Sequence, residues 1–333
     1  MVPRTIRRVL VAARGDDAAQ VVAALEAGGV EAVAVFGEED AESPHLDVAS
    51  WQAPLVRAPR LDDALLPDDI VAAALDAGAD AVHPGTGPGR DDPALARAVT
   101  LAGLAWIGAP GPRAADEAPD ARALVMVVLR DAAGASVVLG AHLVLSGAAF
   151  DPDLTVAPAA VSGRRAADPV AVDRGAAGVW TIAWPADGRG PAATRAGLVP
   201  GWAHHRVAGQ SVPLAEVRLF AGDAAIDGTL GASAAEEEAW VEATVRAASD
   251  GVAGVVQGLD GVVVAVDQPV RRGQVLARPR FVGPTAHVAL VRARAALEAA
   301  SVQGADTNLP ELVATLSDPS VWRLAGAGTL RAP

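Results

Sequence analysis

No lysine occurs anywhere in the 333 residues, so all 27 basic side chains are arginine. That absence removes Schiff-base catalysis and the phosphate-binding lysine of a P-loop, because both need an ammonium on a flexible stem. It also removes attachment of biotin or lipoate, which takes a lysine amine. Arginine can clamp a phosphate, but its pKa is too high for proton transfer at neutral pH. Cysteine and tyrosine are missing as well. Disulfides and thiolate metal sites are thereby excluded, and any catalyst would have to use Ser, Thr, His, Asp, Glu or the backbone. Aromatic residues make up only 3% of the chain, so its core must be built from Ala, Val and Leu. No apolar run is long enough to span a bilayer, and the N-terminal residues lack the apolar stretch of a signal peptide.

What is present is ample for globular folding. Hydrophobic residues reach 51%, and the length suits two domains or one elaborated one. The net charge of −13 argues against nucleic-acid partners and for an acidic surface, and a cytoplasmic protein is the default expectation. The Ala/Arg/Gly/Asp bias has the character of a GC-rich genome, so codon drift contributes to the loss of lysine.

Residues 7–110 alternate between strand and helix patterns. A short apolar strand at Val9–Ala12 leads into the turn Arg14-Gly15. A helix carrying Val21, Val22 and Leu25 is closed by Gly28-Gly29. Strand Ala32–Phe36, a loop containing Ser43-Pro44, and a helix over Asp69–Asp76 follow. Then come strand Ala81-Val82, helix Pro93–Ala102 and strand Leu104–Ile107. Such alternation predicts a parallel, Rossmann-like sheet with right-handed crossovers. Residues 111–121 read as a linker. Two apolar β runs between Arg122 and Leu145 flank Asp131–Gly134 and read as a hairpin. Residues 151–176 read as loop-rich, and the fold of 146–176 stays open. Val179–Trp184 suits a strand and Val212–Ala221 a helix, while Glu236–Val245 fits helix by charge or strand near its end. Residues 252–282 are strand-rich, and helices are expected over Pro284–Ala300 and Leu309–Leu316.

Several strings carry a resemblance. Residues 8–18 (RVLVAARGDDA) resemble the biotin carboxylase opening VLVANRGEIA, and residues 77–87 (AGADAVHPGTG) resemble ATGADAIHPGYG. Trp106–Gly108 resembles FIG. Residues 283–297 (GPTAHVALVRARAAL) resemble GPTREEAIARMRRAL, and residues 304–310 (GADTNLP) resemble GVKTNIP. The matches are collinear and lie at both ends, so the chain resembles a biotin carboxylase of the ATP-grasp superfamily. The resemblance implies an α/β fold with an α+β C-terminal part. It divides the chain into a Rossmann-like biotin carboxylase N-terminal domain (1–110), a linker replacing the lid (111–121), an ATP-grasp remnant (122–230) and a biotin carboxylase C-terminal-like domain (231–333).

The middle departs from the family. Residues 122–131 (RALVMVVLRD) resemble RHIEVQVLAD but begin fourteen residues after Gly108, so the lid and its phosphate loop are missing. The acidic position of that string falls at Val125. The resemblance implies magnesium-binding carboxylates further on, and the first of these falls at Thr181. No Asp or Glu occurs from Gly188 to Ala215, whereas Mg²⁺ held against ATP phosphates needs hard carboxylate oxygens. The family's LQVEH becomes residues 198–202 (LVPGW), without its glutamate, and its catalytic arginine falls near Val256-Gln257. The resemblance therefore implies a pseudoenzyme, with no catalytic residues, no metal ligands, no biotinylation, and neither ATP nor magnesium as cofactor.

Individual residues also have bland readings. His83 sits at a strand end before Pro84-Gly85, where α/β proteins bind ligands, and with Arg14 and Arg90 it is a weak candidate lining for a small-molecule site. Hydrogen bonding to its own turn is the commoner fate. The Gly85–Gly89 run lacks a P-loop's lysine and precedes acidic residues, so a plain loop and helix start is expected. His204 and His205 are adjacent and would point to opposite faces of a strand. His287 reads as the edge of an amphipathic helix. Residues 257–276 also look like a biotinyl hairpin, but the carboxylase register runs on without a gap into Gly283. Trp202, Trp240 and Trp322 are candidate interface anchors, against the alternative that they fill an aromatic-poor core.

Two functions remain in view. One is a non-catalytic structural or regulatory subunit of a biotin-dependent acyl-CoA carboxylase complex, in a dimer or hetero-oligomer. Its partners would be the active biotin carboxylase or carboxyl carrier subunit and the carboxyltransferase. The other is a nucleotide or acyl-CoA sensor, or an altered ATP-dependent ligase, using the first domain's crevice.

Overall fold

The computed structural model describes residues 5–58, 65–86, 88–108, 122–131, 135–148, 151–157, 160–162, 177–185, 193–196, 206–207, 210–221, 238–262, 268–327 and 329–331. The first module is a five-stranded parallel sheet of β1 (Arg8–Val11), β2 (Glu31–Phe36), β3 (Trp51–Pro54), β4 (Ala81–His83) and β5 (Ala105–Trp106). Its spatial order is β3-β2-β1-β4-β5. The central strands carry continuous apolar runs (Val9–Val11, Ala32–Phe36, Ala81-Val82) because helices cover both faces, as parallel sheets require. Helix α1 (Asp16–Ala27) buries Ala18, Val21, Val22 and Leu25, one stripe at i, i+3, i+4 and i+7, and all four are completely inaccessible. Gly29, at φ 77°, turns the chain into β2. Helix α3 (Pro67–Asp76) and α4 (Pro93–Leu101) cover the other face, and Asp92 caps α4 by accepting from the Ala94 N–H at 2.8 Å.

The stretch after β2, expected to be loop, contains helix α2 (Pro44–Val48) and the edge strand β3. Both were hidden by brevity and by exposure of Trp51 and Gln52, which leaves no alternation to read.

The second sheet has seven strands. It comprises β6 (Ala123–Arg130), β7 (Ser136–Ala148), β8 (Asp151–Ala157), β9 (Gly178–Pro185), β10 (Ala193–Ala196), β11 (Ala239–Ala243) and β12 (Arg280–Gly283), in the order β10-β9-β6-β7-β8-β11-β12. Strands from both sides of residue 231 share it. The expected pairing of the two runs after Arg122 is present as β6 against β7, antiparallel. Residues 151–157, expected to be loop, form β8 in the interior of the sheet, with Leu154, Thr155 and Val156 buried. Pro152 and two aspartates mask the strand in the sequence, and the register shifts near Val144, Ser146 and Gly147 absorb the proline. The ambiguity over 236–245 resolves to strand at Ala239–Ala243; Glu236 and Glu237 lie outside the described residues.

Helix α5 (Val212–Ala221) forms where expected. It packs on α1 in a core that also holds Val127, Leu129, Leu139 and Val179 of the second sheet. Gly28 sits at this junction, where a Cβ would meet the Leu214 Cδ2 at 2.6 Å. Each Val or Leu buried here contributes about 1.5–3 kcal/mol. Helices α6 (Ala286–Ala299), α7 (Leu309–Ser317) and α8 (Pro319–Ala327) cover the opposite face of the second sheet over Leu143, Leu154, Val156 and Val241. Thr285 caps α6 through the Val288 N–H at 3.3 Å. Among the described residues, no helix is long and apolar enough to cross a membrane.

Candidate functional site

The connections leave β1 and β4 in opposite directions across the first sheet, so a switch point opens at their C-terminal ends. The structure brings Arg14, His83 and Arg90 to that end. His83 closes β4 opposite Val11, Arg14 lies three residues beyond β1, and Arg90 sits on the 3-10 turn Pro88–Asp91 that follows. Each is nine-tenths buried or more and already engaged. Arg14 holds Asp40 in a two-pronged ion pair, Nε to Oδ2 at 2.9 Å and Nη2 to Oδ1 at 2.6 Å. The Arg90 Nη1 donates to the Thr86 carbonyl. The Gly85 N–H donates to the His83 Nδ1 at 2.9 Å, which puts the ring proton on Nε2, facing the Glu216 Oε2 at 3.3 Å.

Glu216 is the residue that sequence reasoning passed over. It is 1% exposed on α5, and its Oε1 accepts from the Val179 N–H at 3.1 Å. One carboxylate thus ties α5 to β9 and to the end of β4. The available signal was a single acid inside Val212–Ala221, a helix whose other described side chains are apolar apart from Arg218.

On the far side of this rim, His45 is fully buried, with Nε2 3.1 Å from the Val35 carbonyl. Burial pushes its pKa below the ordinary 6.5, with the nearby Arg14 adding to the depression and the Val35 carbonyl and Asp40 opposing it. Among the described residues no group of three or more His, Asp or Glu is placed to hold a metal.

Comparison with known proteins identifies this first module. A family model described as the biotin carboxylase N-terminal domain matches residues 5–114. The first domain is a biotin carboxylase N-terminal domain.

The curated relatives agree over the same stretch. The chain is 40% identical over 108 residues to a biotin-dependent acyl-coenzyme A carboxylase alpha3 subunit from Mycobacterium leprae, covering 32% of this chain and 18% of that one. It is 32% identical over 102 residues to a biotin carboxylase from Halalkalibacterium halodurans, covering 31% and 23%. The match therefore spans about a fifth of those relatives' length. Among solved structures, the biotin carboxylase domain of a thermophilic 2-oxoglutarate carboxylase superposes with a TM-score of 0.80 at 17% identity, over 96% of each chain. The multifunctional pyruvate carboxylase from Rhizobium etli gives 0.76 at 20% identity, over 96% of this chain and 35% of that one. The biotin carboxylase fold therefore extends well past the N-terminal domain.

Within this biotin carboxylase fold, the positions where the resemblance implies acidic residues lie close together. Thr181 on β9 pairs with Val127 on β6, and Ala183 pairs with Val125. Side chains paired across an antiparallel ladder share a face, so Val125 and Thr181 sit as diagonal neighbours on one face, both 0% exposed. The sheet delivers the geometry without a carboxylate at either position, and the buried His142 pairs directly with Val125 on the same face.

The tryptophan anchors need correction. Trp240 is not on the surface but fully buried on β11, with the Arg280 guanidinium carbon 4.9 Å from its ring centre. Aromatic-poor packing leaves large internal volume to fill, and Trp240 fills it. Trp322 is half-buried on α8. Its Nε1 donates to the Leu316 carbonyl at 2.7 Å, and its ring meets His287 edge-on at 4.9 Å. Trp202, His204 and His205 lie outside the described residues.

Proposed function

We propose that this protein is a non-catalytic, biotin carboxylase-like subunit of a biotin-dependent acyl-CoA carboxylase complex. The observation that carries the reading is the pair Val125 and Thr181, buried together where the family resemblance implies acidic residues. Thr181 cannot supply the anionic oxygen that Mg²⁺ held against ATP phosphates requires, and Val125 leaves no acid at the position the resemblance places near the adenine. The engagement of Arg14, His83 and Arg90 with Asp40, Glu216 and the Thr86 carbonyl supports the same reading, since these side chains are committed to holding the fold. Without lysine the chain carries no biotin, so the biotin must come from a partner. The likeness to an acyl-CoA carboxylase alpha subunit supports an active biotin carboxylase or carboxyl carrier subunit and a carboxyltransferase as partners.

Affinity capture of the tagged chain from its source organism tests the reading, with biotin blotting and mass spectrometry. Stoichiometric recovery of a biotinylated subunit and a carboxyltransferase is expected. Recovery of the chain alone, or biotin-dependent ATP hydrolysis by the purified protein, overturns it.

A nucleotide or acyl-CoA sensor is the second reading, favoured by one observation. The Trp106 Nε1, buried at the end of β5, has no hydrogen-bond partner among the described residues. A ligand acceptor reaching that rim would satisfy it. Calorimetric titration of the whole protein with ATP, ADP and acyl-CoA distinguishes the two readings.

A further inference from the structure

Residues 37–50, which leave the end of β2 and return to β3, are held mainly by polar contacts. Leu46 is the large apolar side chain this segment buries, whereas Val48 is about half exposed. Hydrogen bonds and the Arg14–Asp40 ion pair anchor it further. Asp40 accepts from Arg14 and from the Gly37 N–H at 2.6 Å, Ser50 donates to Glu26 through its N–H and its hydroxyl, and His45 reaches the Val35 carbonyl. A segment with little apolar burial opens more readily than the core beneath it.

His45 is the titratable member of this set. Its Nε2 must donate, because a carbonyl can only accept, so Nδ1 carries the lone pair. Among the described residues, that Nδ1 is buried without a partner. A second proton would have to sit on Nδ1, as an unpaired N–H on a buried cation. The charged groups that act on the ring are Arg14 beyond β1, Asp40 in the segment itself and Asp47 on α2, while Glu26 on the packed helix α1 is engaged by Ser50. Arg14 opposes the imidazolium and Asp47 is at the surface. Asp40 and Glu26 are already taken up by Arg14, Ser50 and the Ala32 N–H.

We propose that residues 37–50 form an acid-released flap, docked on the first domain while His45 is neutral and undocked when the ring takes a second proton at Nδ1. Undocking withdraws Asp40 from Arg14 and so remodels the switch-point end of β1. The direction follows from linkage. His45 has a folded pKa below its ordinary 6.5, so its contribution is complete above pH 6.5 and is lost as pH falls through the folded value.

The test is hydrogen–deuterium exchange of the full chain at about pH 7.5 and about pH 5.5, either side of the ordinary histidine value, corrected for intrinsic rates. Peptides covering 37–50 are expected to lose protection at the lower pH, while α3 and α4 keep theirs. His45→Gln preserves a donor for the Val35 carbonyl and cannot titrate, so it is expected to abolish the pH dependence. Equal protection at both pH values, or the same acid loss in H45Q, overturns the proposal. Should H45Q fail to fold, NMR titration of the wild-type imidazoles decides. A His45 ring that titrates at the ordinary value overturns the flap, and one that titrates below it together with the backbone signals of 37–50 supports it.

Discussion

Glu216 and His83 lie 133 residues apart in sequence and meet at 3.3 Å in the interior, joining the last helix of the central segment to the switch point of the first domain. The carboxylate serves two donors, the His83 Nε2 and the Val179 N–H. Its removal strands both. Each unsatisfied buried donor costs about 1–3 kcal/mol, so Glu216→Ala is expected to lower stability by about 2–5 kcal/mol. Urea unfolding measures this, and a loss under about 1 kcal/mol would show that the contact is not formed.

Trp240→Ala empties a fully buried site and is expected to cost about 3–5 kcal/mol. Comparing its unfolding midpoint with its retention on the captured partners separates core from interface. A variant of wild-type stability that no longer binds would reinstate the surface role.

Gly304 lies at φ 82°, and a Cβ there would come 2.0 Å from the Val252 carbonyl oxygen. The neighbouring Gly254 N–H donates to the Gln303 carbonyl at 2.8 Å, so the two backbones cannot separate cheaply. Gly304→Ala is expected to destabilise the chain by about 1–3 kcal/mol, with faster exchange confined to 251–254 and 301–306. Unchanged exchange in those peptides contradicts the close approach.

At the start of α8, the Ser320 hydroxyl and N–H and the Arg122 guanidinium hold the Asp318 carboxyl down to about 2. The folded value lies below the unfolded one near 3.8, so this contribution is present above pH 3.8 and is lost as pH falls towards 2. Asp318→Asn is expected to flatten the acid limb of a stability–pH curve within that window and to leave the limb unchanged above pH 5, about a unit clear of the titration. An identical acid limb in D318N would mean that Arg122 and Ser320 do not hold the carboxylate.

The parallel module was legible because β1, β2 and β4 carry uninterrupted apolar runs and its helices carry clean stripes, as at Ala18, Val21, Val22 and Leu25. Where a strand has one apolar face and interrupting residues, the pattern fails. Pro152, flanked by Asp151 and Asp153, concealed an interior strand, and the run of glutamates before Ala239 concealed the strand of Trp240. The candidate residues Arg14, His83 and Arg90 were legible as neighbours at one sheet end, since their spacing from strand ends fixes that. Their partners were not. Asp40 and Glu216 reach them through tertiary packing, and local pattern carries no information about which carboxylate arrives.

The joint between α1 and α5 also has a temporal side. Synthesis reaches Gly28 nearly two hundred residues before it completes Ala221, so the end of α1 emerges long before the Leu214 that packs on it. Until then that junction is open, and closing so long a loop is slow. Truncations that stop short of α5 leave the junction residues Val127, Leu129, Leu139 and Val179 without their helix and are expected to collect in the insoluble fraction.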